Sequence, residues 1–284
     1  MTPLANFPMK ILVTAGNTQT PLDRVRCITN IFSGRTGAQV ATRAYERGHA
    51  VVLLTSHPEA VVASPDRPGR LSPDWRVRTY RTFDDLDSAL EEEIGGHSFD
   101  VVIHAAAVSD YRAAGIFSLA PGTSFDPTQF IWVVPDNRPH LVDAAAGKVK
   151  SSHAELWLRL VPTPKLVDKI RPIWGFTGVL VKFKLEVGLS EVELQEVAER
   201  ARIHSGADVM VANTLEGMHD WALVGPASLD FQPESSQRVD GQPGAYQKVT
   251  RSQLADHLLD AVETVAHSRS TFAKTSPRQG HEGE

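Results

Sequence analysis

Residues 9–37 read M-K-I-L-V-T-A-G-N-T-Q-T-P-L-D-R-V-R-C-I-T-N-I-F-S-G-R-T-G, and this stretch decides the fold. Lys10–Thr14 is a short apolar run of the kind that forms a fully buried strand. Ser33–Gly37 is a glycine-spaced entry to a helix. The free N–H groups of a first helical turn and the helix dipole together favour an anion, so a strand that feeds such a turn is a phosphate site. An ordinary dinucleotide fingerprint sets its glycines directly behind the strand. Here about sixteen polar and charged residues intervene, among them Thr18, Asp23, Arg26 and Asn30. A connection of that length is expected to hold a substrate as well as a phosphate.

Outward from this stretch, strand and helix patterns alternate. Gly37–Gly48 is a predicted helix with Val40, Ala41, Ala44 and Tyr45 on one face and Gly48 as its stop. Ala50–Thr55, Trp75–Tyr80, Asp100–Ala105, Val179–Phe183, Asp208–Ala212 and Trp221–Val224 read as strands. Thr82 caps a helix from Phe83 to about Ile94. Ser190 with Glu193 forms a capping box for another, reaching about His204. Pro164–Ile170 reads as a short helix and Ser252 to about His267 as the last one. Ala154–Val161 alternates, with Leu156, Leu158 and Leu160 on one face. Such alternation predicts an α/β, Rossmann-like doubly wound fold: a mostly parallel sheet with helices on both faces, plus a smaller strand or flap extension. The expected organisation is a single Rossmann-like domain over 1–267, with an inserted lid or flap over 113–153, and a disordered tail over 268–284. Within the insert, Ala113–Gly147 is rich in Pro, Gly and Asp yet carries Phe125, Phe130, Ile131, Trp132, Val133 and Val134, which suits a lid or a dimer-contacting arm.

Composition narrows the function classes. The 29 Lys and Arg against 34 Asp and Glu leave a net charge of −5, which argues against nucleic acid as the main partner. The single cysteine, Cys27, rules out a disulfide framework and is expected to be a small buried thiol. No apolar run approaches membrane-spanning length, and the first ten residues lack the pattern of a signal peptide. A cytoplasmic protein is expected. His49, His57, His97, His104 and His153 have no metal-ligand spacing, so no protein-bound metal is assigned. In parallel sheets ligands sit beyond the carboxyl ends of the strands. Those ends carry small or polar residues here: Thr14 to Thr18, Ala106 to Arg112, Lys184 to Glu186, and Asn213.

The ordered set T-A-G-N-T, P-L-D-R-V-R-C-I-T-N-I-F-S-G-R-T-G, A-A-A-V-S-D-Y-R, K-V-K-S-S, F-K-L-E and A-D-V-M-V-A-N resembles the phosphopantothenoylcysteine synthetases of coenzyme A biosynthesis. In bacteria these are usually the C-terminal half of a bifunctional flavoprotein. No decarboxylase half is present, so the resemblance implies a stand-alone ligase that binds no flavin. It implies magnesium with CTP or ATP as cofactors, 4′-phosphopantothenate and cysteine as substrates, and a homodimer. Asn30 matches the catalytic asparagine that hydrogen-bonds the acyl oxygen, and Lys148 the flap lysine that covers the triphosphate, with Lys150 two residues on. Gly16, Ser33, Gly34, Arg35 and Gly37 match the phosphate-binding turn. Ala106, Ala107 and Asp110 match the nucleotide contacts. Pro164 to Val167 corresponds to a nucleotide-contacting turn, and Phe183 to the aromatic beside the base. Arg26 and Asn213 are assigned to substrate. The metal is expected to be carried by the nucleotide.

This chain departs from the family at Asn17, where glycine is common, and at Phe32, where serine is. Ala201 and Ser205 stand where bacterial members carry helix lysines, with Arg200, Arg202 and His204 nearby as substitutes. F-K-L-E sits closer to the ATP-preferring branch, while CTP is the bacterial norm. Two alternatives follow. One is a non-catalytic or repurposed nucleotide-binding member of the same fold. The other is an NAD(P)-dependent short-chain reductase, which lacks support because no Tyr-x-x-x-Lys pair occurs in the expected context.

Overall fold

The computed structural model describes residues 8–61, 73–136, 138–226 and 246–275. The first seven residues, where a signal peptide was judged absent, and 276–284 of the expected tail lie outside them. In chain order the elements are β1 (Lys10–Ala15), β2 (Gln19–Pro21), β3 (Cys27–Thr29), α1 (Arg35–Glu46), β4 (Ala50–Thr55), β5 (Trp75–Thr79), α2 (Phe83–Gly96) and β6 (Val101–His104). There follow β7 (Tyr111–Leu119), β8 (Ser124–Asp126), β9 (Ile131–Val133), β10 (Leu141–Asp143), β11 (Trp157–Pro162) and α3 (Val167–Ile170). The chain continues with β12 (Val179–Glu186), α4 (Glu191–His204), β13 (Val209–Thr214), β14 (Trp221–Gly225), β15 (Gln247–Thr250) and α5 (Leu254–Thr275).

Eight strands make one sheet in the order β15-β14-β13-β12-β6-β1-β4-β5. The run from β13 to β5 is parallel, and β14 and β15 close one edge antiparallel. From β1 the chain first moves outward through β4 and β5, then returns to lay β6 on the other side of β1. The β1–β6 seam is therefore the topological switch point, where an open α/β sheet leaves a crevice. Alternate residues of each strand serve opposite faces. Ile11, Val13, Val51 and Val181 pack with Val40 and Ala44 of α1 and with Leu258 and Val262 of α5. Leu12, Val52, Val102 and Leu180 pack with Leu86 and Leu90 of α2 and Ile170 of α3. Helix α4 covers β13 and β14 through Leu194, Ala198, Met210 and Leu223. This is the doubly wound architecture that the alternating pattern predicts.

Local signals placed the helix starts. Thr82 with Asp85, and Ser190 with Glu193, form complete capping boxes. Two readings need correction. α3 begins at Val167 rather than Pro164, because the Thr163 N–H donates to Asp110 O at 2.9 Å and holds the chain extended through Pro164. α5 runs to Thr275, so the segment expected to be disordered from 268 is helical over eight more residues. Arg269 draws that added length against the sheet, donating to Gly178 O at 2.8 Å and pairing with Asp208.

Ala113–Gly147 carries the smaller strand extension: β7 is the central strand of a β10-β7-β11 sheet, and β8 pairs β9 in a hairpin. The aromatic rings of Phe125, Trp132 and Trp157 cluster at centroid distances of 4.6–5.3 Å and join hairpin to sheet. Leu141, Val142, Leu158 and Leu160 stay exposed on this extension. Among the described residues no helix is long and apolar enough to cross a membrane.

Candidate active site

The site begins where β1 ends. Gly16 and Gly34 both have left-handed backbone, at φ 91° and 73°. A Cβ on Gly34 would lie 2.3 Å from the Gly16 nitrogen, and one on Gly37 would lie 2.7 Å from Ala15 Cβ. Glycine is required at both helix positions because the start of α1 lies directly against the end of β1. Gly34 is the N-cap of α1 and contributes no side-chain acceptor, and the first turn holds no acidic residue. The N–H groups of that turn are left for an outside anion.

A cavity of about 410 Å³ opens over this turn. Gly16, Ser33, Gly34, Arg35 and Gly37 line one side, and Ala106, Ala107, Phe183 and Asn213 line another. All nine belong to the set singled out in the sequence, brought from the ends of four strands and one helix. Among the described residues its charged lining consists of Arg35, Lys184 and Arg251, with no carboxylate. In a chain with a net charge of −5, such a concentration of cation and free N–H fits an anionic ligand.

Asn30 stands at the rim. Its side-chain amide donates to Ala107 O at 3.0 Å, and its own carbonyl accepts from Asn17 Nδ2 at 2.6 Å. One of its two amide hydrogens is thereby fixed in direction and the other remains available. Asn17, a departure from the family pattern, is a latch: its N–H donates to Ser56 Oγ at 2.9 Å, and Ser56 Oγ donates back to Asn17 Oδ1 at 3.2 Å. Thr18 is fully buried and ties the long loop to the strand end after β6, since its hydroxyl accepts the Ser109 N–H at 2.8 Å. Phe32 lines the cavity.

The remaining assigned residues fall in two other corners. Asp110 pairs with Lys165, and Thr163 Oγ1 donates to Ser109 O at 2.6 Å, so Asp110 and Pro164 share one exposed corner outside the cavity. Val167 is buried in the core with Leu86 and Leu90 of α2 and is not among the residues lining the cavity. Arg26 forms a two-point pair with Asp23, at 3.0 and 2.6 Å, and donates to Val149 O at 2.6 Å. That guanidinium clamps the Lys148–Lys150 segment to the long loop, which differs from a free phosphate contact. Asp23 also accepts the N–H groups of Val25, Arg26 and Val149. The Arg26 pair, foremost, and these backbone donors hold the Asp23 carboxyl far below the usual carboxylate range. Lys148 and Lys150 are exposed on either side of buried Val149. They are not on a strand, because Asp143 accepts the Ala145 N–H at 2.8 Å and turns the chain out of β10.

Several residues carry the site without a motif to announce them. His104 at the end of β6 is buried and hydrogen-bonds Thr14 Oγ1 at 3.1 Å, and Thr14 Oγ1 accepts the Ala106 N–H at 3.1 Å. Burial, aided by Lys182, pushes the His104 pKa down to about 4. Lys182 is itself shifted down, chiefly by burial, and donates to Ala201 O at 3.1 Å. Its ammonium therefore meets α4 where the family's helix lysines are missing. Arg202 is no substitute for them, being committed to Glu199 and Ala207 O. Cys27 is exposed, against expectation, because β3 pairs only β2 and all three of its residues face solvent. Among the described residues no group of three or more His, Cys, Asp and Glu side chains is placed to hold a metal ion.

Fold and cleft define the class: a doubly wound α/β protein with a cation-lined crevice at its switch point. Residues 8–118 match the model of the DNA/pantothenate metabolism flavoprotein C-terminal domain family. The chain is similar to the coenzyme A biosynthesis bifunctional protein CoaBC of Thermococcus kodakarensis, 31% identical over 259 residues, covering 89% of this chain and 51% of that protein. It is also similar to CoaBC of Mycobacterium tuberculosis, 28% identical over 263 residues, with 90% and 52% covered. The chain thus spans about half the length of the curated relatives it matches. The crystal structure of the DNA/pantothenate metabolism flavoprotein from Streptococcus pneumoniae shares the fold, with TM-score 0.65, 24% identity, and 90% of this chain and 99% of that one covered. A Cab2 variant in complex with phosphopantothenate-cysteine shares it too, with TM-score 0.58, 15% identity, and 92% and 89% covered.

Proposed function

We propose that the chain is a phosphopantothenate–cysteine ligase of coenzyme A biosynthesis. The 4′-phosphopantothenate carboxylate attacks the α-phosphate of a nucleoside triphosphate, and pyrophosphate leaves. The cysteine amine then attacks the acyl carbon of the acyl-nucleotidylate, a proton is lost from nitrogen, and the nucleoside monophosphate departs. The observation that carries this reading is the meeting, at one strand end, of an uncapped helix turn with the oriented amide of Asn30. The turn binds phosphate through its N–H groups. The second hydrogen of the Asn30 amide points a neutral donor at the acyl oxygen, as charge-developing oxygens require. The curated relatives, named for coenzyme A biosynthesis, support the same reading.

Lys148 and Lys150 are the cations that would close over the triphosphate, on a segment that the Asp23–Arg26 pair holds beside the loop. Asp110, Pro164 and Phe183 are the nucleotide contacts in this reading, Asn213 a substrate contact, and Arg26 a positioning residue. Magnesium would arrive with the polyphosphate, since the described cavity residues include no carboxylate ligands for it; when bound it would neutralise phosphate charge. CTP and ATP are the candidate nucleotides. A homodimer and a cytoplasmic setting complete the proposal.

The test is pyrophosphate release with 4′-phosphopantothenate, cysteine, magnesium and either CTP or ATP. Release that requires phosphopantothenate and is lost in Asn30→Ala is expected. Folded protein that releases nothing with either nucleotide would overturn the ligase.

A further inference from the structure

We propose that Arg251, braced by Thr36, forms a separate subsite for the distal, pyrophosphate end of the polyphosphate. Arg251 follows β15, and its N–H donates to Asp220 O at 2.9 Å, which fixes its backbone at the sheet edge. Its guanidinium crosses to the start of α1, donates to Thr36 Oγ1 and lines the cavity. Arg43, Arg47, Arg76, Arg78, Arg171, Arg202 and Arg269 all pair with carboxylates. Arg251 makes no such pair among the described residues. Asp256, on the first turn of the following helix, is held by Arg43 and Arg47 instead. A half-buried cation is unfavourable unless an anion meets it, and desolvation lowers the Arg251 pKa accordingly. The other cavity cations differ: Lys184 already pairs with Glu186 at 2.9 Å, and Arg35 is exposed.

The placement separates two ends of one ligand. The α1 turn and Asn30 serve the phosphate that reacts, while Arg251 comes from the other side of the turn, across Thr36. A guanidinium there binds a diphosphate group through paired N–H donors. It would hold the leaving pyrophosphate without touching the acyl group. The identity of the anion rests on the ligase reading; the existence of the subsite does not.

Calorimetric titration with pyrophosphate, and separately with CMP and AMP, in the absence of phosphopantothenate and cysteine, tests this. Arg251→Gln is expected to weaken pyrophosphate at least about tenfold and to leave the monophosphates within about twofold, at an unchanged thermal midpoint. Arg251→Lys should recover part of the loss, and Thr36→Val should show a smaller loss in the same direction. If Arg251→Gln does not fold, these two variants decide the matter alone. Pyrophosphate bound equally by wild type and variants, or not bound by wild type, overturns the subsite. Selective pyrophosphate loss in a protein that releases none from CTP or ATP would keep the subsite and discard the ligase.

Discussion

The β1–α1 turn and the flap that carries Lys148 stand in opposite relation to the rest of the molecule. The turn is over-determined: β1 is central in the sheet and buried, and Gly34 touches Gly16 so closely that no side chain fits. The flap belongs to a three-stranded sheet with exposed leucines and is tied to the turn's loop by a few hydrogen bonds around Asp23. The lesson is that the fixed half of the site is set by packing and, on the proposed ligase reading, its adjustable half by polar contacts. The largest test of that contrast is Gly34→Ala. A left-handed residue with a Cβ costs about 1–2 kcal/mol, and collision with the Gly16 backbone adds to it. A loss on the order of 4 kcal/mol is expected, measured by urea unfolding, with pyrophosphate release abolished. A variant that unfolds like the wild type would break the contrast.

Acid separates the halves next. His104 has a folded pKa of about 4 and lies at the cleft end of β6, against about 6.5 when unfolded. Between those values the unfolded chain binds more protons, so stability is full above pH 6.5 and declines as pH falls towards 4. The expected loss is roughly 3 kcal/mol, read as a falling urea midpoint between pH 7 and 4.5. His104→Gln should flatten that slope. Asp23 acts with the same sign, over a lower pH window. Its folded pKa is depressed, so its contribution is present above the ordinary carboxylate value of about 4 and is lost only as pH falls through its much lower folded value. The flap clamp should therefore outlast the cleft. A slope over this window identical in His104→Gln and wild type would show that another group sets it.

Asp23→Asn probes the polar half directly. The clamp loses its ion pair with Arg26, and one carboxylate oxygen with its acceptor capacity, while the sheet is untouched. Turnover is expected to fall about tenfold through misplacement of Lys148, with a nearly unchanged thermal midpoint and faster proteolysis near Gly147. A drop in stability without a change in turnover would move Asp23 from flap positioning to general structure.

The same contrast governs what the sequence made legible. Buried strands such as A-V-V-L-L-T are continuous apolar runs, an N-cap threonine marks α2, a capping box marks α4, and the glycine spacing marks the turn. Packing writes itself into residue type. The extension does not: β8 and β9 are three residues each, and β7 finds its partners only in β10 and β11, distant in sequence. The exposure of Cys27 follows from β3 having a single neighbour, which no local pattern encodes. Arg251 was silent because a lone arginine beside a threonine becomes informative only when its missing carboxylate is seen. Arg26 was visible as a charge, but its partner Val149 O lies 123 residues away.

The smallest expected effect is the matching glycine on the flap. Gly147 carries the carbonyl that accepts the Arg24 N–H at 3.1 Å, so it sits at the same loop–flap contact as Asp23. A Cβ there would meet only Arg24 Cδ, at an ordinary 3.5 Å. Gly147→Ala keeps the carbonyl and removes some freedom from the unfolded chain, so stability should move by less than about 0.5 kcal/mol, with a gain as possible as a loss. Turnover should stay within about twofold, because the contact is backbone to backbone. A large loss at Gly147, comparable to that at Gly34, would mean the flap is held by packing as tightly as the turn, and the division between a fixed and an adjustable half would fall.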